Sequence, residues 1–187
     1  MATVVADMSV SLDGFVADFA DRADTVFSWY GKPQPEQAPR EPTGEADSMG
    51  LGVIVYGRRT FEVAHGWDGR HPTGAPVVIV THSVPDGWPR PDSTVSFDTT
   101  GIESAMAAAA EIAGDKVIAL GSPSIIQQCL ALGMVDRIQV KVVPVLLGNG
   151  IRLFGTLSGD AVELDDPVVT QGNGVTHLYY TVPNRSS

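Results

Sequence analysis

From residue 53 onward the chain alternates between two kinds of segment, and that alternation leaves few folds open. Apolar, β-branched runs of strand length occur at 53–56, 76–81, 117–120, 136–143, 161–169 and 175–182, with a shorter one at 94–97 and an N-terminal one at 3–10. Helical stretches at 58–65, 102–113 and 123–132 fall between them. Parallel strands need a crossover, usually a helix, so this order predicts an α/β fold: a central, mixed but mainly parallel sheet of about eight strands, covered on both faces in three layers. The run at 94–97 reads as an edge strand. The last two runs are joined by Gly172-Asn173-Gly174 with no helix between them, which predicts a C-terminal antiparallel hairpin.

Local signals support these elements. Thr100 and Glu103 have capping-box spacing, and Gly114 and Gly133 are placed to end the second and third helices. Ser11-Leu12-Asp13-Gly14 closes the first run with a tight bend. Residues 18–48, with Pro33, Pro35, Pro39 and Pro42 among acidic and amide side chains, read as a long surface loop, either a lid or a tolerated insertion. The 187 residues are expected to form a single domain without repeats.

Charge narrows the partners. Twelve Lys and Arg against 22 Asp and Glu give a net charge of −10, which repels nucleic acid and anionic membrane surfaces. An apolar fraction of 43% requires a real core, and no run approaches the roughly 20 residues of a membrane-spanning helix. One cysteine, Cys129, cannot form an internal disulfide and is expected in the core. With no basic leader, the expected location is the cytoplasm.

An anionic ligand must therefore be met by local positive charge, and two helix starts offer it. Arg58-Arg59, the one adjacent basic pair, follows a strand and Gly57 at the first turn of a helix. A helix N-terminus carries about half a positive charge, so two cations there cost roughly 0.3–1 kcal/mol each unless an anion lies between. Thr60 adds a hydroxyl. The other reading is that both arginines turn away to surface acids. At the second start, Gly121-Ser122-Pro123-Ser124-Ile125-Ile126 follows a buried strand, with Ser122 suited to the N-cap and Pro123 to the first helical position. The amides of Ser124, Ile125 and Ile126 then face the crevice beyond the strand ends, unless this is simply a capped helix. Two such starts in one sheet suit a ligand with two or more phosphates, a dinucleotide. No G-x-G-x-x-G, P-loop or G-x-S-x-G pattern occurs. His65, His71, His82 and His177 have no metal-site spacing, so no metal is expected.

Three blocks carry a family resemblance. Ser9-Val10-Ser11-Leu12-Asp13-Gly14-Phe15-Val16-Ala17, then Tyr56-Gly57-Arg58-Arg59-Thr60-Phe61-Glu62, then Leu132-Gly133-Met134-Val135-Asp136 leading to Pro144-Val145-Leu146-Leu147-Gly148-Asn149-Gly150 and Leu153-Phe154, resemble the reductase domain of riboflavin-biosynthesis deaminase-reductases. That family has the dihydrofolate-reductase-like fold. The resemblance implies NADPH as reductant, a small-molecule substrate and frequently a homodimer. It also implies that Gly57, Arg58, Arg59 and Thr60 hold the cofactor phosphates, the arginines favouring NADP over NAD. Thr81, His82 and Ser83 correspond to the adenosine side, Gly121 to Ile126 to the pyrophosphate loop, and Ser9, Val16 and Ala17 to the backbone that orients the nicotinamide. The chain departs from the family in Gly121-Ser122, where Gly-Gly is usual. It also lacks the basic residue shortly before Ser-Leu-Asp-Gly, where Met8 lies nearby, and the Pro-Trp loop and helical carboxylate of dihydrofolate reductases.

The expected reaction is hydride transfer from NADPH to a small heterocycle or a C=N or C=O group. Alternatives are a true dihydrofolate or ribosylaminopyrimidine reductase and a non-catalytic NADPH sensor, with a flavin in the same groove as a weaker third. Asp13 is the catalytic candidate, or else a turn residue bonded to local backbone. Trp67, Gly148, Asn149 and Gly150 are substrate candidates, against core packing for the tryptophan and an ordinary turn for the glycines.

Overall fold

A computed structural model describes residues 1–30, 32, 50–155 and 161–183, so most of the loop at 18–48 lies outside the described residues. The strands are β1 (Thr3–Ser11), β2 (Phe15–Ala17), β3 (Leu51–Gly57), β4 (Val77–Val80), β5 (Val95–Asp98), β6 (Val117–Leu120), β7 (Arg137–Val143), β8 (Ile151–Arg152), β9 (Val168–Gly172) and β10 (Val175–Thr181). The helices are α1 (Arg58–Val63), α2 (Ile102–Ala113) and α3 (Pro123–Ala131). Eight strands form one sheet in the order β5-β4-β3-β6-β1-β7-β10-β9, and β2 pairs with β8 in a small second sheet. The first six strands of that order are joined in parallel, while β10 runs antiparallel to β7 and β9. The expected α/β sheet and its C-terminal hairpin are both present. Among the described residues no helix is long and apolar enough to cross a membrane.

Several local expectations are corrected. The run at 161–169 becomes a strand only at Val168, because Pro167 has no N–H and the acidic stretch before it favours water. Thr100 does not cap α2. No side chain caps the first-turn amides; Asp98 instead braces the turn ahead of the helix, its carboxylate accepting from Thr100 N–H and Gly101 N–H and from the Ser104 hydroxyl. The helix expected to reach residue 65 stops at Val63, because His65, Gly66, Trp67 and Asp68 all adopt φ between 48° and 61°. A left-handed turn of this kind costs roughly 1–2 kcal/mol per non-glycine residue, so it persists only where the surroundings hold it.

The two faces of the sheet differ, and the difference creates the cleft. Inward residues of one face, among them Ala6, Val10, Val53, Val55, Ile118, Leu120, Ile138 and Val140, pack against Ala105, Met106 and Ala109 of α2 and Ile125, Ile126 and Cys129 of α3. That is the main core, and it holds Cys129 as expected, with burial pushing its thiol up to about 12. On the opposite face, Phe61, Val77, Ile79 and Val95 form a second cluster with Trp67, Trp88 and Phe97 over the β4–β5 end. Trp29 with Val143 and Val175 forms a third. The strip between these two clusters is open.

Candidate functional site

The open strip is the floor of a cleft of about 760 Å³, within the size range of small-molecule and cofactor sites. Register explains what lines it. Val55 of β3 and Ala6 of β1 both lie level with Leu120 of β6, so Tyr56, Gly121 and Asp7 share the next row, and Asp7 pairs in turn with Gln139 of β7. Successive strand residues alternate faces, so this row points away from the helix-covered core. Gly121 is required here, since a Cβ on it would overlap the Tyr56 ring, which lies in the space a side chain would fill.

The two helix starts meet at this cleft. Ser122 occupies the N-cap of α3 but does not cap it. Its Oγ instead accepts from Gly57 N–H at 3.0 Å and shares a proton with Thr60 Oγ1 at 2.7 Å, tying the start of α1 to the start of α3. Gly57, Arg59, Thr60, Gly121, Ser122, Pro123 and Ser124 all line the cleft. Ile125 and Ile126 sit in the core by their side chains, and Ile126 N–H is spent on the Ser122 carbonyl.

Both arginines hold carboxylates: Arg58 Nε donates to Glu62 and Arg59 Nε to Asp21. Arg58 also reaches the end of β4, donating to the Ser83 carbonyl at 2.9 Å and toward Thr81 Oγ1 at 3.4 Å. The expected adenosine-side residues Thr81 and Ser83 are thereby gathered on Arg58, while His82 is exposed beside them. Ser9, Val16 and Ala17 line the cleft, with Ser9 Oγ accepting from Trp29 Nε1 at 3.1 Å.

Other candidates lie elsewhere. Asp13 is outside the cleft lining, and its oxygens accept from the Ser11 hydroxyl and from the Leu147 and Gly148 amides. It ties the β1–β2 bend to the loop before β8. The Ser11 hydroxyl, then the Gly148 and Leu147 amides, hold its carboxyl below the usual aspartate range, outweighing partial desolvation. A depressed folded pKa adds stability above the unfolded value that is lost as pH falls through the folded one. Asp13→Asn is therefore expected to flatten the acid limb of the stability curve below about pH 4, measured by thermal melts across pH. Gly148, Asn149 and Gly150 are also outside the lining, and Gly150 packs on the backbone of Ala17. Trp67 does line the cleft, stacked on Tyr56 with centroids 5.0 Å apart.

Sequence reading missed Asp7, Tyr56 and His71 as cleft residues, and Lys141 as the partner of Asp7. The signal available was charge inside apolar runs: Asp7 in the first and Lys141 in the run at 136–143. In the structure Lys141 Nζ donates to both Asp7 oxygens, at 2.6 and 2.8 Å, across adjacent strands. Tyr56 Oη lies 3.2 Å from His71 Nε2.

A parallel-dominated sheet of this strand order, with a cleft at its strand ends between two short helix starts, is the architecture of dihydrofolate-reductase-like enzymes. The chain resembles Enterococcus faecalis dihydrofolate reductase complexed with NADP(H), at 13% identity and a TM-score of 0.60, over 96% of this chain and 95% of that one. It resembles a Shewanella sp. PV-4 protein provisionally described as a riboflavin biosynthesis protein at 25% identity, a TM-score of 0.70 and coverage of 98% and 99%. A third relative is the Thermotoga maritima diaminohydroxyphosphoribosylaminopyrimidine deaminase/5-amino-6-(5-phosphoribosylamino)uracil reductase, at 14% identity and a TM-score of 0.65, where 97% of this chain matches 57% of that one. Residues 2–177 match the RibD C-terminal domain, and the chain belongs to that family. Membership makes it an oxidoreductase of the riboflavin-pathway reductase type.

Proposed function

We propose that the protein is an NADPH-dependent reductase that delivers hydride to a small heterocycle bearing a C=N or C=O group, and that it works as a homodimer in the cytoplasm. The observation that carries this reading is the union of the α1 and α3 starts by Ser122 at the wall of one cleft. The donor set fits a dinucleotide. The start of α3 has no side-chain cap, and Ser122 and Ser124 add hydroxyls at the cleft wall. Arg58, with Thr81 and Ser83, would hold the extra 2′-phosphate, and Arg59 would exchange Asp21 for a phosphate. Ser9, Val16 and Ala17 would orient the nicotinamide.

NADPH supplies the hydride when bound. The chain's own part is to position the acceptor, exclude water and provide a proton. Arg58→Ala combined with Arg59→Ala is expected to weaken NADPH binding at least tenfold more than NADH binding in titration calorimetry, and equal losses would count against the 2′-phosphate assignment. Absence of NADPH uptake by the folded wild-type protein would overturn the reading. Uptake without oxidation across a panel of pterins and ribosylaminopyrimidines would mark a sensor instead.

A further inference from the structure

The hydrogen-bond chain around His71 fixes where its proton sits. Thr73 N–H points at His71 Nδ1 at 3.3 Å, and a backbone amide can only donate. Nδ1 is therefore an acceptor, and it also takes the Thr73 hydroxyl proton at 2.8 Å, while Ala75 N–H donates to that hydroxyl's oxygen. Burial lowers the His71 pKa, so the ring is neutral near pH 7 and its one proton is on Nε2. Nε2–H then donates to Tyr56 Oη at 3.2 Å. The phenol's own hydrogen must point elsewhere, and among the described residues no acceptor takes it. Tyr56 lies in the cleft lining, level with Asp7 and Gln139.

The ring is also held firmly. Trp67 stacks on it from the strained left-handed turn, and the Gly121 backbone lies against it. A costly turn that serves to press an indole on this phenol is what a site requiring fixed orientation would retain.

We propose that Tyr56 is the catalytic proton donor to the atom reduced in the cleft, with His71 as the positioning residue that keeps its hydroxyl aimed at the ligand. The proposal rests on the reductase reading and specifies its substrate: the acceptor is a C=N or C=O whose nitrogen or oxygen receives a hydrogen bond. As hydride adds to the carbon, the double-bond pair moves onto that heteroatom, which takes the phenolic proton. Tyr56 recovers its proton from solvent entering the cleft as product leaves, and His71 keeps its own proton on Nε2 throughout, since Thr73 N–H holds Nδ1 as an acceptor. Burial, and then the charge of Asp7, pushes the phenol up to about 12, so it stays protonated as a donor between turnovers.

Two measurements test this on the full chain. Long-range 1H–15N spectra at pH 7.5 should show His71 as the Nε2–H tautomer, and an Nδ1–H signal would overturn the proposal without touching the reductase reading. Tyr56→Phe preserves the stacked ring, so it should fold and bind NADPH within twofold of wild type. Its kcat, on whichever panel member the wild type reduces fastest, should fall about 100-fold with KM little changed. Unchanged kcat would overturn the proposal alone. Failure of wild-type protein to take up NADPH would remove the reductase reading and this proposal together. If no panel member is reduced, the tautomer decides.

Discussion

Gly150→Ala is expected to lower unfolding free energy by about 3 kcal/mol or more, read as a shift in the urea midpoint at constant slope. Two independent penalties act at this position. Its φ of 137° lies in a region that L residues rarely adopt, which alone costs of the order of 1–3 kcal/mol. A Cβ there would also run into the carbonyl oxygen of Ala17, which belongs to the backbone and has no rotamer to escape by. Relief requires β8 to move away from β2, and that pair is held by few bonds. Val16, Ala17 and Ile151 line the cleft, so the same displacement should weaken ligand binding in whatever fraction stays folded. Gly148→Ala is the control: its φ of 77° is strained but its Cβ would meet nothing within 4 Å, so the backbone penalty acts alone. A loss at Gly150 no larger than at Gly148 would show that β8 yields readily.

The contrast between these glycines bears on what the sequence could reveal. Period and spacing showed where strands and helices lie, because those signals are local: the runs at 53–56 and 117–120 appear almost unchanged within β3 and as β6. Gly148-Asn149-Gly150 drew attention as a close approach, but its partner turned out to be Ala17, 133 positions earlier, and no local pattern reveals that. Ser122 had the right identity and position for an N-cap, yet its hydroxyl was drawn to Gly57 N–H by the neighbouring strand end. The arginine pair was legible as an anomaly of charge. Its carboxylate partners were open alternatives: Arg58 took Glu62 one turn along its own helix, while Arg59 was decided by where residue 21 folds back over α1. Tyr56 carries no local signal of its role, which depends on a bare Gly121 beside it and on a turn of unusual handedness at 65–68.

Asp7→Ala is expected to destabilise the protein by about 3 kcal/mol or more, while Lys141→Met costs less, and the asymmetry is the informative result. The Lys141 side chain is 10% exposed and the Asp7 side chain 33%. Removing the carboxylate takes two charge-assisted hydrogen bonds from a nearly buried ammonium, whereas removing the ammonium leaves a carboxylate that water in the cleft can still reach. The double replacement Asp7→Leu with Lys141→Met should recover most of the loss, because an apolar pair of similar volume often matches a buried ion pair in stability. Chemical denaturation of the three variants checks the order. If the double variant is as stable as wild type, the pair is not there to hold strands β1 and β7 together. Its position then supplies the other reason to keep it: Asp7 shares a row with Tyr56 and Gln139 on the floor of the cleft, and its charge acts on the phenol directly. The stable double variant should still bind NADPH but with an altered turnover, and a double variant with unchanged activity would leave the ion pair without a role in the reaction.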